Sequence, residues 1–482
     1  MKKPKINARY IIFVLVLLCL VTLFAACNAE TESRTNAVYD INLSYDGNLT
    51  VEGVQNVCYT NNLAQPLDSL KIMLYANAYK QNAFTITDAG EAYYDGISYG
   101  NIEIDEFTVN GNETEFSLSD NEQVLSVDIP STASGEKVDF SIKYTVTLPK
   151  CNGRLGVTQE TVNLCSLYPV VCPIVNGKFV ETEYTPYGDP YVADVQDFFV
   201  TLTAPDGYVL ACSGKITDET QTDGKKTFEI TAKNTRDFAM VLSQSFALLA
   251  KTADGVEIKY LYYDDSQPAE TLGIAQNALK IFSDAFGKYP YDTYTVVQAP
   301  FVAMGMEYSS LSIIADNLPQ DYLETTVVHE TAHQWWYETV GTLQTSEAFV
   351  DEGLAEFSTA YYFKANGDKE KYADLYGSHK LSYAVYKAYA KANGITFDET
   401  MAKPLSDFNS SNEYVVIAYD KGALMFSYVF DLLGEKKFKK AMRNFYEKYK
   451  FKIAVFSDLT ECFKKYNKGL NLNPWLNGKT VI

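Results

Sequence analysis

Two of the three histidines in this 482-residue chain lie four residues apart, in His329-Glu330-Thr331-Ala332-His333. On a helix, residues i and i+4 lie on one face, roughly 5–6 Å apart between Cβ atoms. Two imidazoles in this arrangement can bind one zinc ion, and a glutamate between them can reach a water bound to that ion. The spacing therefore predicts a zinc site with His329 and His333 as ligands and Glu330 as general base.

The third ligand is expected to be a carboxylate, because the remaining histidine, His379, lies in a Gly-Ser-His-Lys segment that is typical of a surface or a loop. Glu352 follows His333 after eighteen residues, on what the pattern predicts to be the next helix. Two histidines and one glutamate leave a fourth position open for water, as a catalytic zinc site requires. The metzincin pattern is excluded, since Trp336 and Thr339 stand where it needs Gly and His.

Four segments carry a more specific pattern. They are HETAHQWW from His329, Glu352 in an EGLAEF context, Gly305-Met306-Glu307-Tyr308, and Tyr419-Asp420-Lys421-Gly422. In order and spacing they resemble the aminopeptidase N family of gluzincin zinc peptidases, whose GxMEN motif has Asn where this chain has Tyr308. The resemblance spans roughly residues 300–425 and implies one Zn²⁺ per chain, held by His329, His333 and Glu352.

The resemblance also implies an activity, which is removal of N-terminal residues from peptides. Zinc-activated water would attack the substrate with Glu330 as general base, while Tyr419 stabilises the oxyanion. Glu307 would bind the free N-terminal ammonium of the substrate.

Further substrate-binding residues follow from the same resemblance. Gly305 and Met306 belong to the motif that carries Glu307, and Tyr414 lies five residues before Tyr419, as a second tyrosine does in some members. A second amine-binding Glu or Gln, nine residues before a proline, is expected in the N-terminal domain. Glu160 has this spacing from Pro169.

The sequence ends at Ile482, whereas larger family members continue with a helical C-terminal domain that caps the active site. We therefore expect a short form with a more open cleft. Two alternatives stay open: a zinc endopeptidase or specialised peptide processor, and a non-catalytic lipoprotein that binds peptides.

Residues 1–26 are predicted to be a lipoprotein signal peptide rather than part of the fold. Four basic residues precede an apolar run from Ile11 to Leu23, and Ala25 and Ala26 precede Cys27. This end of the segment resembles a bacterial lipobox, so Cys27 would carry lipid and tether the protein to the membrane outside the cytoplasm. The alternatives are a secretory signal cut near Ala26 and an uncleaved anchor.

Charge and cysteine content limit the other partners. The formal net charge is −20 and becomes more negative without the basic signal segment, which argues against nucleic acid as a partner. The six cysteines after Cys27 form no CxxC pair. A disulfide within the group Cys151, Cys165 and Cys172 and buried free thiols remain equal alternatives.

The hydrophobic pattern predicts an α+β multidomain protein. A polar tether over 27–36 precedes a domain over 37–250 in which apolar and polar residues alternate, as from Val138 to Leu148. This alternation indicates an antiparallel, β-sandwich-like domain. Over 251–482 the spacing is helical, with Pro319 opening the helix of His329 and further helices near 346–365 and 419–433. The resemblance implies that this second domain is thermolysin-like.

Overall fold

The structure, a computed structural model, describes residues 36–83, 92–182, 184–185 and 187–478. The predicted signal peptide, Cys27 and nearly all of the predicted tether lie outside the described residues. The described residues belong to one compact unit. Within its described part, no helix has the length and apolar character needed to cross a bilayer.

The first half is built from strands in which buried and exposed side chains alternate, and a 3-10 turn over Tyr75–Tyr79 interrupts them. The strands are β1 (Ala37–Tyr45), β2 (Thr50–Thr60), β3 (Leu67–Met73), β4 (Asn101–Val109), β5 (Asn112–Glu113), β6 (Phe116–Leu118), β7 (Val124–Thr132), β8 (Lys137–Thr147), β9 (Leu155–Val157), β10 (Val162–Cys165), β11 (Val170–Val171), β12 (Ile174–Val175), β13 (Lys178–Phe179), β14 (Gln196–Pro205), β15 (Val209–Cys212), β16 (Lys215–Thr222), β17 (Lys225–Thr235) and β18 (Ala239–Ser243).

Three sheets of this half enclose one hydrophobic core. The largest has the order β16-β17-β14-β1-β2-β8-β4-β5 and is antiparallel except between β1 and β14. Two four-stranded sheets, β11-β3-β7-β6 and β15-β18-β10-β9, complete the layers. Ile41, Leu70 and Leu164 come from different sheets and are buried in the same core. The predicted β-sandwich-like N-terminal domain is therefore confirmed.

The second half begins with a mixed sheet and continues with helices. Its strands are β19 (Ala247–Ala253), β20 (Val256–Tyr262), β21 (Thr293–Ala299), β22 (Gly305–Tyr308), β23 (Leu311–Ala315), β24 (Val340–Gly341) and β25 (Lys452–Ile453). Five of them form the sheet β19-β20-β21-β23-β22, in which β20, β21 and β23 are parallel. Because β19 starts at Ala247, this sheet begins slightly before the predicted domain boundary at 250.

The helices follow in chain order. They are α1 (Pro268–Phe286), α2 (Gln320–His333), α3 (Gln344–Glu347), α4 (Asp351–Ala365), α5 (Lys369–Ala392), α6 (Ser411–Val415), α7 (Gly422–Leu433), α8 (Glu435–Tyr449), α9 (Phe456–Lys464) and α10 (Asn473–Leu476). Pro319 caps α2 as expected. The predicted helix near 346–365 is in fact two helices, and the one predicted from Tyr419 is preceded by a π-helical turn over Val416–Lys421.

Two buried tryptophans fix the end of α2. The Trp335 ring contacts Phe282 of α1, and its Nε1 donates a hydrogen bond to the Gly287 carbonyl at 2.8 Å. Trp336 donates from Nε1 to Ser358 Oγ of α4 at 2.9 Å. Because each indole N–H has a partner, both rings can be buried without leaving an unpaired donor. These contacts hold α2 against the two helices that flank it.

The cysteines of the described part, Cys58, Cys151, Cys165, Cys172, Cys212 and Cys462, are free thiols. All except Cys58 are buried. Burial raises the pKa of the Cys151 and Cys165 thiols to about 12, which keeps them protonated and unreactive. Of the two alternatives, the structure agrees with buried free thiols.

Candidate metal centre

Three side chains from two helices bring one ligand atom each to a common point. The Nε2 atoms of His329 and His333, one turn apart on α2, are 3.1 Å from each other. Oε2 of Glu352, at the start of α4, is 3.4 Å and 3.3 Å from these nitrogens. Zinc bonds of about 2.0–2.2 Å in a tetrahedral site place ligand atoms about 3.3–3.6 Å apart. The three atoms therefore fit one zinc ion, with room for a fourth ligand.

Neighbouring oxygens orient both imidazoles. Nδ1 of His333 faces the Trp336 carbonyl at 3.1 Å, and Nδ1 of His329 faces Oε1 of Glu356 at 3.1 Å. When Nδ1 carries the hydrogen, Nε2 is left with the lone pair that a metal needs. Each histidine therefore presents the correct nitrogen to the metal position.

A close approach of α4 and α7 brings Glu352 near Tyr419. A Cβ at Gly353 would lie only 2.7 Å from the Cα of Gly422, so the backbones meet where neither residue has a side chain. Tyr419 projects from the π-helical turn before α7 and donates a hydrogen bond from Oη to Glu352 Oε1 at 2.6 Å. Its ring also lies parallel to the His329 imidazole, with ring centroids 5.9 Å apart. Single π-helical turns inside helices are frequent at functional sites.

Glu330 lies between the two histidines and is buried. Among the described residues, its Oε2 has no hydrogen-bond partner. Gly305 makes room for this carboxylate, because a Cβ there would lie 2.4 Å from Glu330 Oε1. Burial raises the pKa of Glu330 to about 7, although the two adjacent histidines lower it. A carboxyl group with a pKa near neutrality can both accept and release a proton.

Glu307 lies on β22, with its carboxylate buried. Gln344 Nε2 is 3.4 Å from Glu307 Oε1 and donates a second hydrogen bond to Asp351 Oδ2 at 2.8 Å. Burial raises the pKa of Glu307 well above its ordinary value, while the adjacent His333 lowers it. A cationic group of a ligand would stabilise the ionised form of such a carboxylate.

One cavity joins these groups to residues of the β-rich half. Its lining includes Gly153, Arg154, Asp189, Gly305, Met306, Glu307, His329, Glu330, His333, Glu352, Tyr414 and Tyr419. Nine of the ten predicted site residues are therefore brought together. Tyr414 is buried, and its ring packs edge-on against that of Tyr419 at 5.7 Å.

Glu160 is the exception. It is exposed in the turn between β9 and β10, and it does not line the cavity. Its backbone carbonyl accepts a hydrogen bond from Ser243 Oγ. The spacing to Pro169 led to the wrong residue, because the turn directs this side chain to solvent.

Arg154 and Asp189 were missed by sequence reasoning. They form an ion pair, and Arg154 Nε is also 3.0 Å from Met306 Sδ. Burial raises the pKa of Asp189, Arg154 lowers it, and the charge of Glu352 raises it. One feature of the sequence could have drawn attention to Arg154: the chain has only five arginines.

His379 was assigned wrongly to a surface or loop. It lies inside α5 and is buried, with a ring nitrogen facing Glu356 and the other facing Asp420. The preceding Gly377-Ser378 suggested a loop, but the helix continues through both residues. The third histidine therefore belongs to the surroundings of the metal centre.

Comparison with known proteins agrees with this site. Residues 270–477 match the peptidase family M1 domain. The chain is 24% identical over 225 residues to aminopeptidase RNPEPL1 of Homo sapiens, covering 42% of this chain and 30% of that protein. It is 27% identical over 208 residues to aminopeptidase N of Escherichia coli (strain K12), covering 39% of this chain and 22% of that protein. The match thus spans less than a third of either relative's own length.

Solved structures show similarity over a larger part of the fold. A crystal structure of M1 zinc metallopeptidase from Deinococcus radiodurans has a TM-score of 0.66 at 17% identity, covering 93% of this chain and 96% of that one. A mutant of that protein has been solved with a Tyr-Ser-Ala substrate. The predicted α+β architecture and the resemblance to aminopeptidase N-type peptidases are confirmed.

Proposed function

We propose that the protein is a zinc-dependent aminopeptidase that hydrolyses N-terminal residues from peptides, in line with the match of residues 270–477 to the peptidase family M1 domain. One observation carries the proposal. A single cavity contains three convergent ligand atoms, the phenol of Tyr419, the buried carboxylate of Glu307, and the carboxylate of Glu330, whose Oε2 has no hydrogen-bond partner among the described residues. A protein that only binds peptides has no use for the base and the phenol.

Each side chain has a distinct role in this reaction. A bound zinc ion would polarise the scissile carbonyl and lower the pKa of water towards about 7. Glu330 accepts the proton of the attacking water and delivers it to the leaving amine. Tyr419 remains protonated, because burial raises its pKa well above the ordinary value, and its Oη donates a hydrogen bond to the developing oxyanion.

The preference for a free N-terminus is assigned to Glu307. A buried carboxylate gains most from a partner that carries a full positive charge, and the substrate ammonium supplies one. An internal amide has no charge to offer. Asp189 lines the same cavity but is already paired with Arg154, so Glu307 is the more available of the two.

The test compares one peptide with a free N-terminus and the same peptide N-acetylated, using Tyr-Ser-Ala as the first sequence. We expect hydrolysis of the free peptide only, with loss of activity on chelation and recovery with added zinc. Equal cleavage of both forms would favour an endopeptidase. Zinc binding without hydrolysis of either form would favour a peptide-binding protein.

We also propose that the mature protein is an extracytoplasmic lipoprotein, tethered to the membrane through Cys27. Support comes from the basic start, the apolar run and the small residues before Cys27. Mass spectrometry of the mature N-terminus after expression in a bacterial host tests this. A lipidated Cys27 is expected, and Cys27→Ser should abolish the lipid modification. An intact Met1 or an unmodified Cys27 would contradict the proposal.

A further inference from the structure

The buried His379 links two parts of the candidate active site that are distant in sequence. Its Nε2 faces Glu356 Oε2 at 3.4 Å, and its Nδ1 faces Asp420 Oδ1 at 2.8 Å. Glu356 contacts Nδ1 of the metal ligand His329 through its other oxygen, at 3.1 Å. Asp420 is the residue next to Tyr419. One imidazole therefore lies between a carboxylate that orients a zinc ligand and a carboxylate beside the phenol.

These contacts close into a ring. From the metal side, His329 contacts Glu352, whose Oε1 accepts the hydrogen bond from Tyr419. Through its Nδ1 atom, His329 contacts Glu356, which contacts His379. His379 in turn contacts Asp420 on the π-helical turn. Both paths end on the turn that carries Tyr419. A change at any member can therefore move the ligand relative to the phenol.

A positive charge on His379 would stabilise its position between two carboxylates. Glu356 and Asp420 are both acidic, and two carboxylates around one neutral ring would repel each other. Burial alone lowers the pKa of His379, but the hydrogen bond with Asp420 and the charge of Glu356 raise it overall. A protonated ring donates a hydrogen bond from Nδ1 to Asp420, and its positive charge attracts the Glu356 carboxylate 3.4 Å from Nε2. Ser382 Oγ donates to the remaining oxygen of Asp420, so that carboxylate is held from two positions on α5.

We propose that His379 is a positioning residue that fixes the zinc ligand His329 relative to the oxyanion donor Tyr419. It touches neither the metal position nor the substrate cavity, and acts through Glu356 on one side and Asp420 on the other. The inference rests on the proposed zinc peptidase function, since it assigns separate effects on zinc binding and on catalysis to the two ring nitrogens.

Two substitutions separate these effects. In His379→Asn, the amide nitrogen can replace Nδ1 and keep the contact with Asp420 while Glu356 loses its partner. In His379→Gln, the amide nitrogen can replace Nε2 and keep the contact with Glu356 while Asp420 loses its partner. Zinc affinity is measured by competition with a chromophoric chelator, and kcat and KM are measured at saturating zinc.

We expect His379→Asn to weaken zinc binding about 10-fold, with a small change in kcat, because residues that orient metal ligands have effects of about 10–100-fold. His379→Gln should retain zinc affinity and lower kcat about 10-fold, with KM little changed. Ser382→Ala should resemble His379→Gln in a milder form, and it keeps the test valid if the histidine variants do not fold. Tyr376→Phe removes a hydroxyl from a partly buried ring on the same helix and should change neither quantity.

The outcomes separate this inference from the proposed function. Wild-type protein that binds no zinc would overturn both. A second outcome would overturn the role of His379 alone. In that outcome the wild type binds zinc, but zinc affinity and kcat change equally in His379→Asn and His379→Gln, or do not change in either variant. An effect of Tyr376→Phe as large as those of the histidine variants would identify a general packing defect and would also overturn the role of His379.

Discussion

The phenol of Tyr419 donates a hydrogen bond to Oε1 of Glu352 at 2.6 Å, while Oε2 of the same carboxylate faces both histidines. Glu352 therefore directs one carboxylate oxygen to the metal position and accepts a hydrogen bond from the phenol of Tyr419 with the other. The ring is therefore in place before substrate binds, but its single O–H must turn from Glu352 to the carbonyl oxygen when negative charge develops there. The position of the metal ligand Glu352 therefore also determines the position of the catalytic phenol of Tyr419.

Replacement of Tyr419 by phenylalanine removes this donor while keeping the ring against His329. We expect kcat to fall about 10²–10³-fold, with a smaller change in KM, since the lost interaction acts mainly in the transition state. Steady-state kinetics at saturating zinc measures this. Tyr428→Phe on α7, where the side chain is partly exposed, is the control and should retain activity. Retained kcat in Tyr419→Phe would contradict the role of the phenol.

Glu330→Gln tests the base without changing the ligand set. The amide keeps the size of the side chain but cannot accept the proton from water. Activity should therefore fall about 10²–10⁴-fold. Zinc content, measured by mass spectrometry on the same sample, should remain that of the wild type because Glu330 contributes none of the three convergent ligand atoms. Full activity with bound zinc would rule out the proposed proton transfer.

Glu307→Gln tests how the enzyme recognises a free N-terminus. The substitution removes the charge that pairs with the substrate ammonium, so kcat/KM for a free peptide should fall about 10²-fold, the size expected for a charged hydrogen bond of about 1.5–3 kcal/mol. Cleavage of the N-acetylated peptide should not fall further. Glu160→Gln is the matched control, because that exposed side chain lies outside the cavity lining. Equal losses in both variants would exclude selective recognition by Glu307.

The parts of this site that follow local rules could be predicted from the sequence. His329, Glu330 and His333 are placed by the period of one helix, and Glu352 begins the second helix after them. Arg154 and Asp189 could not be found in this way. They reach the cavity through the packing of the β-rich half, and no spacing within the chain encodes that contact.

His379 and Tyr419 show a second limit. A glycine and a serine before His379 favour a loop locally, yet packing of α5 against the catalytic helices keeps that stretch helical. For Tyr419, the sequence pattern predicts an ordinary helix, whereas the π-helical turn depends on tertiary contacts of Asp420 and Lys421. Tertiary contacts therefore decide the details that local propensity leaves open.

Gly353→Ala tests the contact between α4 and α7. The new Cβ would meet backbone atoms of Gly422, so the helices must separate, at a cost of about 1–3 kcal/mol in unfolding free energy. Glu352 and Tyr419 should separate too, lowering zinc affinity and kcat together. Gly377→Ala in α5 is the control, because a Cβ there meets nothing within 4 Å. It should stabilise the protein by up to about 1 kcal/mol through helix propensity. Urea unfolding of both variants decides the comparison.

Lys421 predicts a pH dependence of stability. Its side chain is buried, and burial lowers its pKa to about 8, while the Glu399 carboxylate raises it. Between pH 8 and its ordinary value of 10.5, the unfolded chain keeps a proton that the folded protein has released, so the unfolding free energy rises with pH in this window. Relative to Lys421→Met, the wild type should gain about 2 kcal/mol from about pH 7.5 to about pH 9.5. Urea unfolding of the two proteins measures the difference, and other titrating groups cancel because they are common to both. Parallel pH profiles would show that Lys421 titrates as an exposed lysine does.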